Sequence, residues 1–591
     1  MVNPFMTSKP APHDTAIHPE AASSGISKGL TNYGDRGFSL FLRKAFIKGA
    51  GYTDKALERP VIGITNTGSA YNPCHGNMPQ LMEAVKRGIL MAGGLPMDFP
   101  TISLHESFSA PTSMYLRNLM SMDTEELLRA QPMDGVVLIG GCDKTVPAQL
   151  MGAASVRLPA VQLVTGSMLT GSHRSERVGA CTDCRRYWGK FRAEEIDAEE
   201  IADVNNQLVA SVGTCSVAGT ASTMACIAEA LGISVPGSAS PPAVTADRIR
   251  AAERSGEVAV HMARAGLTID RILTPAAFEN AVRVLLAMGG STNAIVHLAA
   301  MAGRLGYALD LKALDAMSRD TPVLLDLKPS GDHYMEDFHA AGGMPTLLRE
   351  LKPLLHLDAL TVTGRTLGEE LEAAGPGFAQ SVVKTLKAPL YPQGGIAVLH
   401  GNLAPGGAII KQSAANPALM EHEGRAVVFE NAEDLAARID APDLDVRADD
   451  ILVLKHIGPK GAAMPEAGYL PIPKKLAAQG VKDMVRISDG RMSGTAFGTI
   501  VLHVTPEAAV GGPLAWVQTG DRIRLSVRER LIEWQVSDAE LAARQSAQPV
   551  VEPTAARGYA HLFRKTVMQA DRGADFDFLA ATECKGSIPR N

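Results

Sequence analysis

PVIGIT (60–65), DGVVLIGG (134–141) and AVQLVTG (160–166) are short apolar runs with no polar alternation, each closed by a glycine, proline or hydroxyl residue. A strand that alternates has one wet face; a strand that does not is buried on both, which is the condition of strands in parallel sheets covered by helices. Helical patterns of ten or more residues follow these runs. MPQLMEAVKRGILMAGG (78–94) places apolar residues at helical spacing and ends in a glycine pair suited to a C-cap. This α/β texture continues to about residue 385.

Beyond that point the chain breaks into short β-rich pieces between glycines and prolines: GGIAVLHG (394–401), RAVVFE (425–430), DILVLKHIG (450–458), DMVRISDG (483–490), GTIVLHV (498–504) and DRIRLSVRE (521–529). Several short strands at regular spacing predict a barrel or a sandwich. The expected organisation is a flexible N-terminal arm (1–25, rich in Pro, Ala, Ser and His), an α/β domain with parallel sheets (26–385), and a C-terminal β-rich domain built as that barrel or sandwich (386–591). A chain of 591 residues exceeds the roughly 250–300 that one core accommodates.

Apolar residues make up 46% of the chain and charged residues 20%, as in globular proteins that bury a large core. The formal charge is −6, without long runs of one sign. This balance provides no footprint for nucleic acid or an anionic membrane, and no apolar stretch reaches the roughly 18 residues of a membrane span. A small-molecule partner is expected. Seven cysteines thinly spread over such a length do not make a secreted disulfide framework; a reducing cytoplasm fits them better.

Three of these cysteines, Cys74, Cys142 and Cys215, lie in Gly- or Pro-containing loops after apolar segments. Loops at the carboxyl ends of parallel strands converge, so thiols about 70 residues apart can meet there, and three thiolates can hold an iron-sulfur cluster with one iron left open. Unrelated buried cysteines satisfy the same spacing. Cys181 and Cys184 form a C-x-x-C, but the sequence offers no second pair or nearby histidine to complete a zinc site. In Cys142-Asp143-Lys144-Thr145, Asp143 suits a hard cation, and Lys144 can join it only by losing its charge, for instance as a carbamate; a plain salt bridge or helix cap accounts for the same residues. Glu106 and Glu466 are single acids beside apolar or turn-forming neighbours. In SDGRMSGT (488–495), glycines flank hydroxyls, so Ser493 and Thr495 can act as base and substrate clamp or simply form a polar turn. GGSTN (289–293) is expected to cap the helix that follows, with amides open to a carboxylate, and His297 within that helix is expected to be packed.

Together, GGCDKTVPAQLMGAAS (140–155), GTCSVAGTASTMACIAEALG (213–232), GGSTNAIVHLAA (289–300), GPKGAAMPE (458–466) and SDGRMSGTAFGT (488–499) resemble the dihydroxy-acid and sugar-acid dehydratase family, in the family's order and over nearly everything after residue 30. The resemblance implies an N-terminal α/β domain, a C-terminal β-barrel, and a homodimer or homotetramer. It implies cluster ligands Cys74, Cys142 and Cys215; a magnesium site of Glu106, Asp143, Glu466 and a carbamylated Lys144; Ser493 as the base; and Thr495 beside the substrate. Two blocks look closer to pentonate dehydratases of the L-arabinonate and D-xylonate type, which implies a 2Fe-2S rather than a 4Fe-4S cluster. The implied reaction removes water from a 2,3-dihydroxycarboxylate to give a 2-keto-3-deoxy acid. A dihydroxy-acid dehydratase of branched-chain amino-acid synthesis would share every one of these residues, whereas an iron-sulfur redox sensor would need the cysteines alone.

Overall fold

The three apolar runs form adjacent parallel strands. In the computed structural model, which describes residues 24–31, 33–547, 550 and 552–589, they are β1 (Val61–Asn66), β3 (Gly135–Gly140) and β4 (Ala160–Val164), joined by an edge strand, β2 (Leu95–Pro100), in the order β2-β1-β3-β4. Every residue of β3 and β4 is buried, as the lack of alternation requires. The expected arm at 1–25 lies outside the described residues up to position 23. Gly25 opens a short turn whose backbone N–H donates to the Asp134 carboxylate.

The helix expected at 78–94 is α1 (Met78–Met91); Gly93 takes φ +79° and the Gly94 N–H returns to the Ile89 carbonyl, closing the helix with the glycine pair. Four further helices follow, α2 (Ser113–Ala130), α3 (Thr145–Val156), α4 (Thr182–Arg192) and α5 (Thr220–Ala230), of which all but α4 contribute to the main core. The long helix α6 (Ala246–Ala265) packs along α1 at backbone contact, because glycine stands at the crossing: a Cβ on Gly88 would fall 1.9 Å from the Glu253 carbonyl oxygen, and one on Gly256 2.3 Å from that of Val85. The stretch 289–293 precedes α7 (Asn293–Arg304), as expected. Its amides are not open to a ligand, however. Ser291, Thr292 and Asn293 are fully or almost fully buried, and the Ser291 N–H donates to Thr223. His297 is packed, against Arg117 at 3.1 Å.

The C-terminal region closes into an eight-stranded barrel of β5 (Ala397–Gly401), β6 (Ala404–Ile410), β7 (Glu421–Phe429), β8 (Ile451–Leu454), β9 (Arg486–Ser488), β10 (Ile500–Thr505), β11 (Arg522–Ser526) and β12 (Leu531–Trp534). Its order is β7-β8-β9-β10-β6-β5-β12-β11, closed by antiparallel pairing of β11 with β7. Closure removes the exposed edges that an open sheet would leave. After the barrel the chain returns to the first layers: Gly586–Ile588 pairs in parallel with Tyr307–Leu309, and the buried Arg304 holds Asp575 at 2.6 and 3.1 Å. No helix among the described residues is long and apolar enough to cross a membrane.

Backbone contact between α1 and α6 makes Gly88 a sensitive position. Gly88→Ala should lower stability by about 1–3 kcal/mol, the usual cost of overpacking, and Gly88→Val by more. A thermal melt checks this, and an unchanged Tm for both variants would contradict the crossing described.

Candidate active site

The carboxyl ends of β1 and β3 and the loops of the barrel open onto one cavity of about 1030 Å³. Cys74 lies in a 3-10 turn (Pro73–His75) after β1, and Cys142 follows β3 by two residues. Their loops are fixed to each other through His75. Its Nε2 accepts the backbone N–H groups of Gly141 and Cys142 at 2.9 and 3.0 Å, which leaves the ring proton on Nδ1, donated to the Thr67 carbonyl at 2.8 Å. Burial pushes this histidine down to about 4, so it stays neutral and keeps its acceptor. Cys215 arrives from a different direction: Thr214 bridges to Ser167, just beyond β4, and Gly213 at φ +127° turns the chain there.

The thiols of Cys74, Cys142 and Cys215 line the same cavity wall. Among the described residues, no three cysteines bring their sulfurs within single-ion reach of one another; Glu106, Asp143 and Glu466 do so, with ligand oxygens all within 4.8 Å. That difference sorts the two donor sets. Soft sulfurs spread around a cavity suit a multi-iron cluster, while three converging carboxylates suit one hard divalent cation. The two sets touch, since the Cys142 Sγ lies 3.6 Å from Asp143 Oδ1.

The oxygen set is drawn from distant parts of the chain. Glu106 opens a turn after β2, Asp143 precedes α3, and Glu466 comes from the segment between β8 and β9. Arg491, just after β9, joins them: its Nη2 donates to Glu106 at 2.9 Å and its Nη1 to Glu466 at 2.7 Å, and it is 1% exposed. Burial works against ionisation of Glu106, but Arg491, Lys144 and the hydroxyls of Ser113 and Thr112 outweigh it and hold the acid down at about 2. Burial lifts Glu466, with Arg491 opposing and Glu106 and Asp143 adding to the lift. Lys144 is fully buried and forms a close ion pair with Asp143. Arg491 stands inside SDGRMSGT, yet nothing in its sequence neighbourhood marks it as the partner of acids from another layer.

Ser493 and Thr495 face this cavity with their hydroxyl oxygens 2.9 Å apart. Gly494 between them has no room for a side chain, because a Cβ would meet Ser291 Cβ at 2.5 Å and the Thr220 amide at 2.8 Å. The turn therefore rests on the starts of α5 and α7. Beneath it Lys411, fully buried at the end of β6, donates its Nζ to the Gly494 carbonyl at 3.1 Å. Cys181 and Cys184, which the sequence left without partners, line the same cavity, and Cys181 Sγ lies 3.4 Å from Cys215 Sγ. Tertiary structure thus supplies Cys181 with a sulfur neighbour outside the C-x-x-C. His105 also faces Cys74 and Asp143 from the cavity wall, where these groups outweigh its burial and raise its basicity.

The chain matches the profile of the dihydroxy-acid/6-phosphogluconate dehydratase N-terminal family over residues 59–370 and that of the C-terminal family over residues 381–574. It is 47% identical over 556 residues to an L-arabonate dehydratase of Azospirillum brasilense, covering 92% of this chain and 95% of that one. It is 45% identical over 540 residues to a 6-deoxy-6-sulfo-D-gluconate dehydratase of Pseudomonas putida (91% and 93% covered). Against a dihydroxy-acid dehydratase of Methanothrix thermoacetophila (strain DSM 6194 / JCM 14653 / NBRC 101360 / PT) the identity is 37% over 539 residues (90% and 96% covered). The chain belongs to the dihydroxy-acid/6-phosphogluconate dehydratase family and is a dehydratase, a hydro-lyase.

Burial pushes Lys411 from 10.5 down to about 7. Between these values the unfolded lysine holds a proton that the folded one has released, so the native protein gains stability as pH rises from about 7 to 10. Lys411→Met lacks this dependence. Its stability relative to the unmodified protein should be highest at pH 7 and below and decline toward pH 10, which melts across that range measure; a pH-independent difference would show that Lys411 keeps ordinary basicity.

Proposed function

We propose that this dehydratase acts on sugar acids of the pentonate class, converting a 2,3-dihydroxycarboxylate to a 2-keto-3-deoxy acid. The observation that carries the reading is the meeting, in one cavity, of soft sulfurs, converging carboxylates and a paired serine hydroxyl. Relatives named for sugar acids stand at 45–47% identity and one named for dihydroxy acids at 37%, which favours the longer substrate. A cavity of about 1030 Å³ has room for a polyhydroxy chain.

Cys74, Cys142 and Cys215 would hold an iron-sulfur cluster, read as 2Fe-2S, and Glu106, Asp143, Glu466 and a carbamylated Lys144 would hold magnesium. Once bound, these groups would supply Lewis acidity, the magnesium toward the carboxylate and 2-hydroxyl and the cluster toward the departing 3-hydroxyl. Ser493 Oγ takes the C2 proton. A serine hydroxyl ionises far too weakly in water for this, so its base form depends on nearby positive charge and on the hydrogen bond from Thr495. The C3–oxygen bond breaks, the departing hydroxide takes the proton held by Ser493 Oγ and leaves as water, which restores the base, and the enol that remains tautomerises to the 2-keto acid. Arg491 keeps Glu106 and Glu466 at fixed positions throughout. We read the chain as two domains meeting near residue 385, working as a homodimer or homotetramer in a reducing cytoplasm.

The test is 2-keto acid formation by anaerobically purified, magnesium-supplemented protein over L-arabinonate, D-xylonate, D-gluconate, D-glycerate and 2,3-dihydroxyisovalerate. Turnover highest on the pentonates is expected. Preference for dihydroxyisovalerate would instead place the enzyme with the branched-chain dihydroxy-acid dehydratases. Ser493→Ala should retain the visible absorption of the cluster and lose at least about a hundredfold in kcat, the lower range for loss of a proton-transfer group; full activity would remove Ser493 from the role of base.

A further inference from the structure

We propose that Cys181 is a fourth thiolate of the cluster site, capping in the substrate-free protein the iron that ligation by Cys74, Cys142 and Cys215 leaves open. The proposal rests on the cluster assignment above and goes beyond it. Its starting point is a distance: Cys181 Sγ lies 3.4 Å from Cys215 Sγ. A tetrahedral metal with metal–sulfur bonds of about 2.3 Å sets its sulfurs about 3.7 Å apart, so these two thiols already stand near the spacing of co-ligands on one ion. Cys74 and Cys142 line the same cavity, and each thiol is the strongest single influence on the other's ionisation. Two sulfur pairs facing one cavity make the four-cysteine set of a fully ligated cluster.

A permanent fourth thiolate would leave the substrate no iron to bind, so the cap must leave, and the way Cys181 is attached permits this. It is the N-cap residue of α4, a helix that buries only Thr182, Asp183 and Tyr187. The helix packs through Tyr187 in a small satellite cluster with Val178, Val204 and Leu208 rather than through the main core. The helix has few apolar contacts, but Asp183, two residues from Cys181, is anchored by Tyr334 Oη at 2.7 Å and the Gly179 N–H at 2.9 Å, so the movement required is a local one of Cys181 itself. The first turn of α4 is also tied to the catalytic turn, because Thr182 Oγ1 donates to the Thr495 carbonyl at 2.9 Å. A hydroxy acid seated against Ser493 and Thr495 therefore acts on the segment that carries Cys181. In the exchange the iron–sulfur bond to Cys181 breaks as a bond forms from iron to the acid's 3-hydroxyl oxygen. No electron moves, and the freed thiolate takes a proton from solvent in the cavity. Cys184, one turn further along α4, faces Cys181 and lines the same wall without approaching Cys215 in this way.

Mössbauer spectroscopy of anaerobically reconstituted holoprotein tests the cap without reference to turnover. In the unmodified, substrate-free protein every iron is expected to give an all-sulfur ferric doublet. In Cys181→Ser and Cys181→Ala one iron should move to the larger isomer shift of an oxygen-ligated site, and Cys184→Ser should match the unmodified protein. Excess L-arabinonate added to the unmodified protein should produce the same shifted iron, and the Cys181 variants should lose cluster absorbance in air several-fold faster. An oxygen-ligated iron already present in the unmodified, substrate-free protein would overturn the proposal while leaving the cluster and its three ligands in place. Absence of any cluster from the reconstituted protein would overturn both. Because the spectrum of the unmodified protein alone separates these outcomes, failure of a variant to fold does not protect the idea.

Discussion

Three carboxylates cannot share a space of 4.8 Å in a protein interior without positive charge among them, and Arg491 supplies it. Its guanidinium spans Glu106 and Glu466, and further bonds run from its Nε to the Met464 carbonyl at 2.6 Å and from its Nη2 to Thr112 at 3.0 Å, so all three nitrogens of the planar fork are engaged. Glu106 and Arg491 are 385 residues apart. The ion pair is thus also the seam by which the barrel is aligned on the parallel sheet, and breaking such a buried pair typically costs about 3–5 kcal/mol. Lys144 performs the same service for Asp143. A divalent cation entering here would take over the charge balance that Lys144 gives up on carbamylation, beside acids that Arg491 already holds in place.

The rest of the architecture distributes the chemistry by element type. Strand ends of the sheet present Cys74, Cys142 and Asp143, held in register by the neutral His75 that reads two backbone amides at once. The barrel presents Glu466, Arg491, Ser493 and Thr495 from turns around β9. These turns are themselves fixed by Asp489, whose carboxylate accepts the Ile457 and Ala508 amides at 3.0 and 2.9 Å. Neither half contains the site. Its sulfur and oxygen donors come mainly from one and its hydroxyls from the other, and the return of the chain terminus to Tyr307–Leu309 fastens the two together.

Much of this was legible in the sequence where one physical signal dominated. Unbroken apolar runs gave the central strands, and the glycine pair at 93–94 gave the end of α1. Other strands escaped for definite reasons. LPMDFP (95–100) carries two prolines and reads as a loop, but β2 is an edge strand, where a missing N–H is tolerated. APGGAII (404–410) opens like a turn, and LIEW (531–534) is too short to announce itself. Ser493 and Thr495 were visible as hydroxyls between glycines, and resemblance singled out the cysteines and acids. Arg491, His105, Lys411 and the proximity of Cys181 to Cys215 depend on side chains meeting across layers, for which a sequence has no local pattern.

The central claim is that a sulfur-bound iron cluster and an oxygen-bound divalent cation sit side by side in one cavity. Anomalous diffraction from crystals of anaerobic, iron-loaded protein with manganese in place of magnesium tests it most directly. Data at the iron edge should place a peak among Cys74, Cys142 and Cys215, and data at the manganese edge should place a separate peak among Glu106, Asp143 and Glu466. Iron found elsewhere, or manganese absent from the three carboxylates at full iron loading, would contradict the account.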